Sequence, residues 1–524
     1  MTIQKTLRLA VQKCNNLYCG WKGFPPITIT LIEHWLRFMG LFRAGILWLL
    51  LYSSVAIGEI SDIDNYRFLL KDKAEFSRKS PVIENNKPFI KDDIKINFDG
   101  KEYQVSNTLN EMGMAIYIAL NRGQYDDVER LLSYYQQLSG YDVLLVEFAK
   151  AQMARANHDY AQAIFHYQTI LALKPDFLRV ELELARTYFE DQQNNEASSQ
   201  FKRVLEKYQQ QLPQSVLATI SQFTTELSKR NSWSGSFSVG YGYNSNINQV
   251  PGDKRQRCYR NAVQQFCYGA GLADKGTKFI YDGDIKRTFS LYQHHSLLFK
   301  AYTYGNKYDG AAEYNENTSH IRVYYQYQDA KKSFAIGPIS EFKWVGERQH
   351  YYGVGVGMEA EYRFLPQFSL STVIDHQKIN YRSPYQSQDG NKSQAYITGI
   401  YALSSDAVIF GGVDSGYVNK VYDSDSYKQY GIRGGIFKDV SQYYHLLGIA
   451  SYKQTRFNAP QYALGSQNRM DDEQLYLAKL SLPKYSIATM TPSISYRYRV
   501  NKSNIDALYS YQQSEIEIRL EKRF

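Results

Sequence analysis

The 524 residues carry a formal charge of +9, with 22% charged and 44% hydrophobic side chains, and a mean hydropathy of −0.48. That balance excludes a polytopic helical membrane protein, whose spans each need ~20 mostly apolar residues. The mild positive charge comes with no basic stripe interleaved with aromatics, so no nucleic-acid partner is expected, and the length predicts roughly two to four domains.

The first element in the chain is the uncharged run from Ala44 to Gly58, "AGILWLLLYSSVAIG". It is short for a helical span, follows Arg37 and Arg43, and closes on the small residues Ser54-Val55-Ala56. This pattern reads as a secretory signal cleaved after Ala56, against the alternative of a retained anchor. The segment from Met39 is a compact signal in itself, which makes Met39 an alternative start. Residues 1–56 are accordingly assigned to the signal region and 57–106 to a linker and N-terminal extension. Cleavage would remove Cys14 and Cys19 and leave Cys258 and Cys267, which in an exported protein are expected to form a disulfide, two free thiols being the alternative.

Residues 107–231 are expected to form a periplasmic helical domain. Between about Asn107 and Pro213 the apolar period is helical, and Ala151, Ala163, Tyr167 and Ile170 are answered 34 residues later by Ala185, Ala197, Phe201 and Val204. Thirty-four residues is the tetratricopeptide period, with small residues where the two helices of a unit touch. Pro175 ends the first unit, Leu184 with Tyr188 completes the second, and "ALNRGQYDDVERLLSYY" forms a fainter unit ahead of both. A short array of this kind offers a concave surface for a peptide or protein; a plain helical bundle is the alternative.

From Ser232 the period becomes 2, and residues 232–524 are expected to form a transmembrane antiparallel β-barrel of about fourteen strands. Trp233, Gly235, Phe237, Val239, Tyr241 and Tyr243 alternate with small polar residues, and most of the 47 tyrosines fall in this region, as aromatic girdles require. Strands are expected to begin near Trp233, Lys278, Ser296, Thr318, Ser333, Gly353, Gln367, Gln394, Ala407, Lys428, Tyr443, Gln474, Thr489 and Gln512. The connections alternate between mostly long and mostly short, the asymmetry of external loops and periplasmic turns. In the last strand Ile516, Ile518 and Leu520 share a parity facing lipid, while Glu515, Glu517, Arg519, Glu521 and Arg523 face the lumen. Gly235, Gly240 and Gly242 in the first strand, with dense charge opposite, mark the join of first and last strands as a candidate lateral seam. The alternative is that these glycines make room for bulky neighbours.

No active site is legible. The histidines lack H-x-x-x-H spacing, "GLADKGTK" presents Thr277 and Lys278 in the reverse of phosphate-loop order, and no G-x-S-x-G occurs. Neither catalysis, a metal nor a cofactor is expected, and His294-His295 reads as ordinary surface histidines in a turn.

The runs "INFDGKEYQVSNTLNEMGMAIYIALNRGQYDDVERLL", "ALKPDFLRVELELARTYFEDQQNNEASSQF", "GSFSVGYGYNSNIN" and "NKSNIDALYSYQQSEIEIRLEKRF" resemble the surface lipoprotein assembly modulator (Slam) family over roughly Ile96 to Phe524. The resemblance implies an outer-membrane translocator of a Gram-negative bacterium that delivers client proteins to the cell surface, the clients being surface lipoproteins or soluble secreted proteins such as haem-capturing ones. Its partners would be the client, outer-membrane lipid and, through a final strand whose Phe524 resembles an outer-membrane assembly signal, the barrel assembly machinery. A polysaccharide exporter and a passive porin are the competing readings. About three repeats are few for such an exporter, and a porin needs no client-binding domain.

Overall fold

The computed structural model describes residues 108–251, 272–461 and 466–524, together with the backbone of a short hairpin at 257–260 and 265–268. The expected signal region, with Met39 and Ala56, and the 57–106 extension lie outside these residues.

Among the described residues seven consecutive helices come first: α1 (Leu109–Arg122), α2 (Tyr125–Tyr135), α3 (Val143–Ala156), α4 (Tyr160–Leu173), α5 (Leu178–Glu190), α6 (Asn194–Tyr208) and α7 (Gln214–Asn231). Local chemistry sets several ends. Asp142 caps α3 by accepting from the Leu144 N–H at 2.8 Å, and Asp159 caps α4 through the Gln162 N–H at 3.2 Å, each satisfying a donor that the first helical turn leaves without a partner. Gly123 ends α1 at φ +70°, a left-handed backbone that glycine adopts without steric cost. Pro175 lies in the turn between α4 and α5.

The eight residues of the 34-residue repeat are all fully buried. The alanines allow helix backbones to approach closely, and Tyr167 meets Phe148 edge-on at 6.2 Å. Tyr188 is only partly buried and accepts a hydrogen bond from Gln168 Nε2 at 2.9 Å. Helix α7, beyond the recognised repeat, belongs to the same layer because Phe223 stacks on Phe201 (5.3 Å, 18°) and meets Phe189 edge-on at 4.8 Å.

The remainder comprises β1 (Ser234–Asn244), β2 (Arg257–Arg260), β3 (Gln265–Tyr268), β4 (Gly276–Tyr292), β5 (His295–Tyr308), β6 (Glu316–Gln328), β7 (Lys332–Val345), β8 (Arg348–Leu365), β9 (Phe368–Tyr381), β10 (Gly390–Ser404), β11 (Ala407–Lys420), β12 (Tyr427–Ser441), β13 (Tyr444–Pro460), β14 (Asn468–Ser481), β15 (Thr491–Ser503), a one-turn helix α8 (Asp506–Tyr509) and β16 (Tyr511–Arg523). Strands β1 and β4–β16 form a closed barrel of 14 antiparallel strands, β1 pairing with both β4 and β16. Closure is the physical requirement here, since an open edge in a bilayer leaves backbone groups without partners.

The strands exceed the ~9–11 residues that a span requires, β8 running to 18. β8 and β14 begin well before the expected Gly353 and Gln474, because ladder pairing continues past those residues toward the preceding connections. Pro492 is the second residue of β15, near a strand start, where a missing N–H is tolerated. The small β2–β3 hairpin inside the first long loop is an addition to the expected scheme, and the β7–β8 turn is short where most turns at its end are long.

Candidate functional site

The inner wall of the barrel is polar, yet many of its charges are buried or half-buried and paired. Arg322 on β6 reaches Asp375 on β9 at 2.7 Å, Lys392 on β10 reaches Glu341 on β7 at 2.9 Å, and Lys300 on β5 reaches Glu359 on β8 at 2.9 Å. Each pair spans two intervening strands. Elsewhere the inner wall is apolar: Phe410, Ile449, Leu475 and Leu477 cluster with Val373, Tyr396, Ile400 and Val408, all buried. Side chains therefore fill the interior at these levels. A wide water column would leave the same groups hydrated.

The join between β1 and β16 is the shortest registered stretch in the barrel, from Ser236 opposite Arg523 to Asn244 opposite Glu515. Ile516 and Ile518 face outward at 47% and 62% exposure, whereas Glu515, Glu517 and Arg519 are below 9%. Leu520 shares the outward parity opposite Val239. The charges that face the lumen at this join are paired with one another. Arg519 binds Glu517 at 2.8 Å and also Asp282 on β4, while Lys278 on β4 binds Glu515 at 3.1 Å and Glu517 at 3.4 Å. β4 and β16 are thus tied directly to each other across β1. The glycines lie close against both neighbouring strands: a Cβ at Gly240 would collide with the Ile518 carbonyl and lie 2.8 Å from Arg519 Cγ, one at Gly242 would lie 2.9 Å from the Ile516 carbonyl oxygen and 3.0 Å from Glu517 Cγ, and one at Gly235 would collide with the Asp284 carbonyl.

The register supplies a direct check. Gly235 and Phe524 exchange both backbone hydrogen bonds, so Ser238 and Glu521, three pairs along, form a non-hydrogen-bonded pair, with Cα atoms about 4.5 Å apart in such ladders and within disulfide range. Ser238→Cys with Glu521→Cys should crosslink efficiently on oxidation. Ser238→Cys with Arg519→Cys, out of register, should crosslink poorly; equal yields, read by gel mobility, would contradict this pairing.

At the opposite end of the same strands, the two asparagine-rich motifs act as loop locks. Asn246 donates to the carbonyls of Val250 and Gln512 and accepts from the Val250 N–H, and Asn248 exchanges hydrogen bonds with Leu272 and Asp274. In the Ser-Asn-Ile-Asp motif, Asn504 accepts from the Met470 N–H and donates to the Asn468 carbonyl. In the hairpin within this first loop the backbone sets Cys258 directly opposite Cys267, while their side chains lie outside the described residues.

The helical layer is joined to the barrel at the short-turn end. Asn195 Nδ2 donates to the carbonyls of Ser290 and Leu291 at 3.0 and 3.2 Å, the Gln293 N–H donates to Glu196 at 2.8 Å, and Arg287 Nε donates to the Asn231 carbonyl at 3.0 Å. Arg230 fastens α7 to the α5–α6 turn through the Phe189 carbonyl and Asn194, lying 3.8 Å over the Phe189 ring. His294, read from sequence as an ordinary surface residue, contacts Asp191 through Nε2 at 2.9 Å.

Partial burial alone would lower the proton affinity of His294, but the hydrogen-bonded Asp191 carboxylate, with Asp329 beyond it, holds its pKa above the ordinary histidine value. A pKa raised by docking means that this contribution is complete below about pH 6.5, the undocked value, and is lost as pH rises through the docked value. Protection against hydrogen exchange at the β4–β5 turn, taken relative to the intrinsic rate at each pH, should therefore fall as the pH is raised above about 6.5, and that fall should vanish in His294→Asn. A pH step of undiminished size in that variant would assign the effect elsewhere.

Among the described residues no group of histidine, cysteine, aspartate and glutamate could hold a metal ion, and no helix is long and apolar enough to cross a membrane. A family model described as "Surface lipoprotein assembly modifier" matches residues 233–524, and one described as "Surface lipoprotein assembly modifier, N-terminal TPR repeats" matches residues 99–201. The chain is 30% identical over 444 residues to a hemophilin secretion modulator of Acinetobacter baumannii, covering 82% of this chain and 89% of that protein. It is 27% identical over 404 residues to a surface lipoprotein assembly modifier of Moraxella catarrhalis, covering 74% and 76% respectively.

Proposed function

Because the chain belongs to the surface lipoprotein assembly modifier family, we propose that it is an outer-membrane translocator whose helical repeats capture a client protein in the periplasm and hand it to the barrel for delivery to the cell surface. One observation supports this above the others: the repeats are fastened, through Asn195, Glu196 and Asp191, to the β4–β5 turn at the short-turn end of the barrel. In outer-membrane barrels that end faces the periplasm, so a client held by the repeats waits beside the mouth. The packed, ion-paired interior disfavours a passive porin, which needs an open aqueous path.

The client is a surface lipoprotein or a soluble secreted protein of the hemophilin kind, as the relatives' names suggest. Outer-membrane lipid contacts the outward apolar wall, and the final strand with Phe524 addresses the barrel assembly machinery. Cys258 and Cys267 form a disulfide in the first external loop, directly opposed residues being well placed for one; alkylation of both thiols without reductant would refute that pairing. The function itself is tested by co-expression with the exported product of a neighbouring gene. Protease accessibility of that product on intact cells should depend on this protein, and unchanged accessibility in its absence would defeat the reading.

A further inference from the structure

Between the helical layer and the barrel's short-turn end lies a cavity of about 460 Å³. The helical layer contributes Lys229 from α7, and the barrel contributes Lys286, Lys331, Lys332, Arg363 and Arg523. Over the whole lining, ten lysine and arginine side chains face five aspartates and glutamates. Several of the acids are already engaged: Glu359 by Lys300 at 2.9 Å, Asp329 by Lys332 at 3.7 Å and Glu226 by Arg230 at 3.9 Å. Two of the cations are engaged by acids outside the lining, Arg322 by Asp375 at 2.7 Å and Arg523 by Glu521 at 3.0 Å, and the lining still keeps a smaller positive excess. A concave, low-dielectric wall with a net charge focuses its field and raises the local concentration of ligands of the opposite sign.

We propose that this cavity is a receiving site for an extended acidic segment of the client polypeptide. The proposal rests on the translocator reading and adds the chemistry of what is received. Position favours a polypeptide over a lipid headgroup. Lys300, Tyr302 and Arg322, which line the same cavity, lie on the lumen wall, so the cavity opens toward the barrel interior and away from the lipid-facing girdle. A chain passing from the repeats into the barrel crosses it, and Gly235 and Ser236 of the β1–β16 join border it as well.

The test uses the full-length protein in non-ionic detergent and a labelled unstructured peptide rich in Asp and Glu, alongside the same peptide with Asn and Gln in their places. Lys229, Lys331 and Lys332 are exposed, so Lys229→Glu, Lys331→Glu and Lys332→Glu reverse the charge without disturbing a packed core. The acidic peptide should bind the wild type at least about tenfold more tightly than its neutral counterpart at low salt, an advantage lost at high salt and in the triple variant. Equal binding of the two peptides, or an advantage that persists in the triple variant, would overturn the proposal. Displacement of the acidic peptide by phosphatidylglycerol in mixed micelles, with the lipid binding the wild type but not the variant, would overturn it in favour of a headgroup site. Client export is a separate readout: its independence from this protein would defeat the functional reading while peptide binding still reports on the cavity.

Discussion

Deletion of residues 108–231 is expected to leave a barrel that inserts in the outer membrane and delivers no client. All fourteen strand pairings are internal to the barrel, and the helical layer reaches it mainly through β4 and the β4–β5 turn, so the cut removes no ladder. The boundary matters. A deletion stopping at Pro213 would leave α7 without Phe189 and Phe201, exposing Val216, Ile220, Phe223 and Leu227, which are at most 3% exposed in the intact layer. Exposing large apolar side chains costs about 1.5–3 kcal/mol each, enough to make the remnant stick or misfold and to confuse a loss of binding with a loss of folding. Heat-modifiable gel mobility would report the barrel, and protease accessibility of the client on whole cells would report delivery. Full delivery by the shortened protein would exclude a role for the repeats and leave a mechanism carried by the barrel alone.

The second large effect is expected at Arg519. Its guanidinium binds Glu517 and Asp282 and lies 3.4 Å from Ser238 Oγ. Arg519→Ala leaves two carboxylates buried with their shared cation gone, and breaking a buried pair from one side costs about 3–5 kcal/mol. The denaturant midpoint should fall markedly, and the loss should begin at the β1–β16 join, where hydrogen exchange would rise first. Combining Arg519→Met with Asp282→Leu and Glu517→Leu should recover part of the loss, because apolar replacement of buried ion partners together is often neutral or better and Lys278 keeps Glu515 at 3.1 Å. A single variant that unfolds at the wild-type midpoint would show that the tie between β4 and β16 contributes nothing to the wall.

The tie also bears on delivery. Peeling β1 from β16 requires breaking the ladder and, in the same movement, separating Arg519 from Asp282 and Lys278 from Glu515 and Glu517. A client route through this wall must therefore replace those contacts as it opens. The basic cavity at its short-turn end, with Gly235 and Ser236 on its border, is where competing acidic groups would arrive.

Much of this architecture is readable from residue order alone. The change from a helical period to a period of 2 near Ser232 separates the two halves, because side chains on a helix and on a strand meet their surroundings at different intervals. Ala151 and Ala163, repeated as Ala185 and Ala197, mark helix contacts because only small residues permit that approach, and Tyr167 and Phe201 are the aromatics packed beside them. Alternation in "EIEIRLEKRF" assigns Ile516 and Ile518 to lipid and Glu515, Glu517 and Arg519 to the interior, since the bilayer imposes the pattern strand by strand. What each inward charge does was decided only by the tertiary structure. Asp282 and Arg519 are 237 residues apart, and strand alternation specifies which wall a side chain faces but neither its register nor its partner across an intervening strand. The same holds for His294 and Asp191, 103 residues apart: a turn histidine acquires its role only when another domain sets a carboxylate beside it. Local periodicity follows from the environment each residue enters, whereas pairing follows from closure of the barrel and docking of the repeats, which bring together charges that no local rule connects.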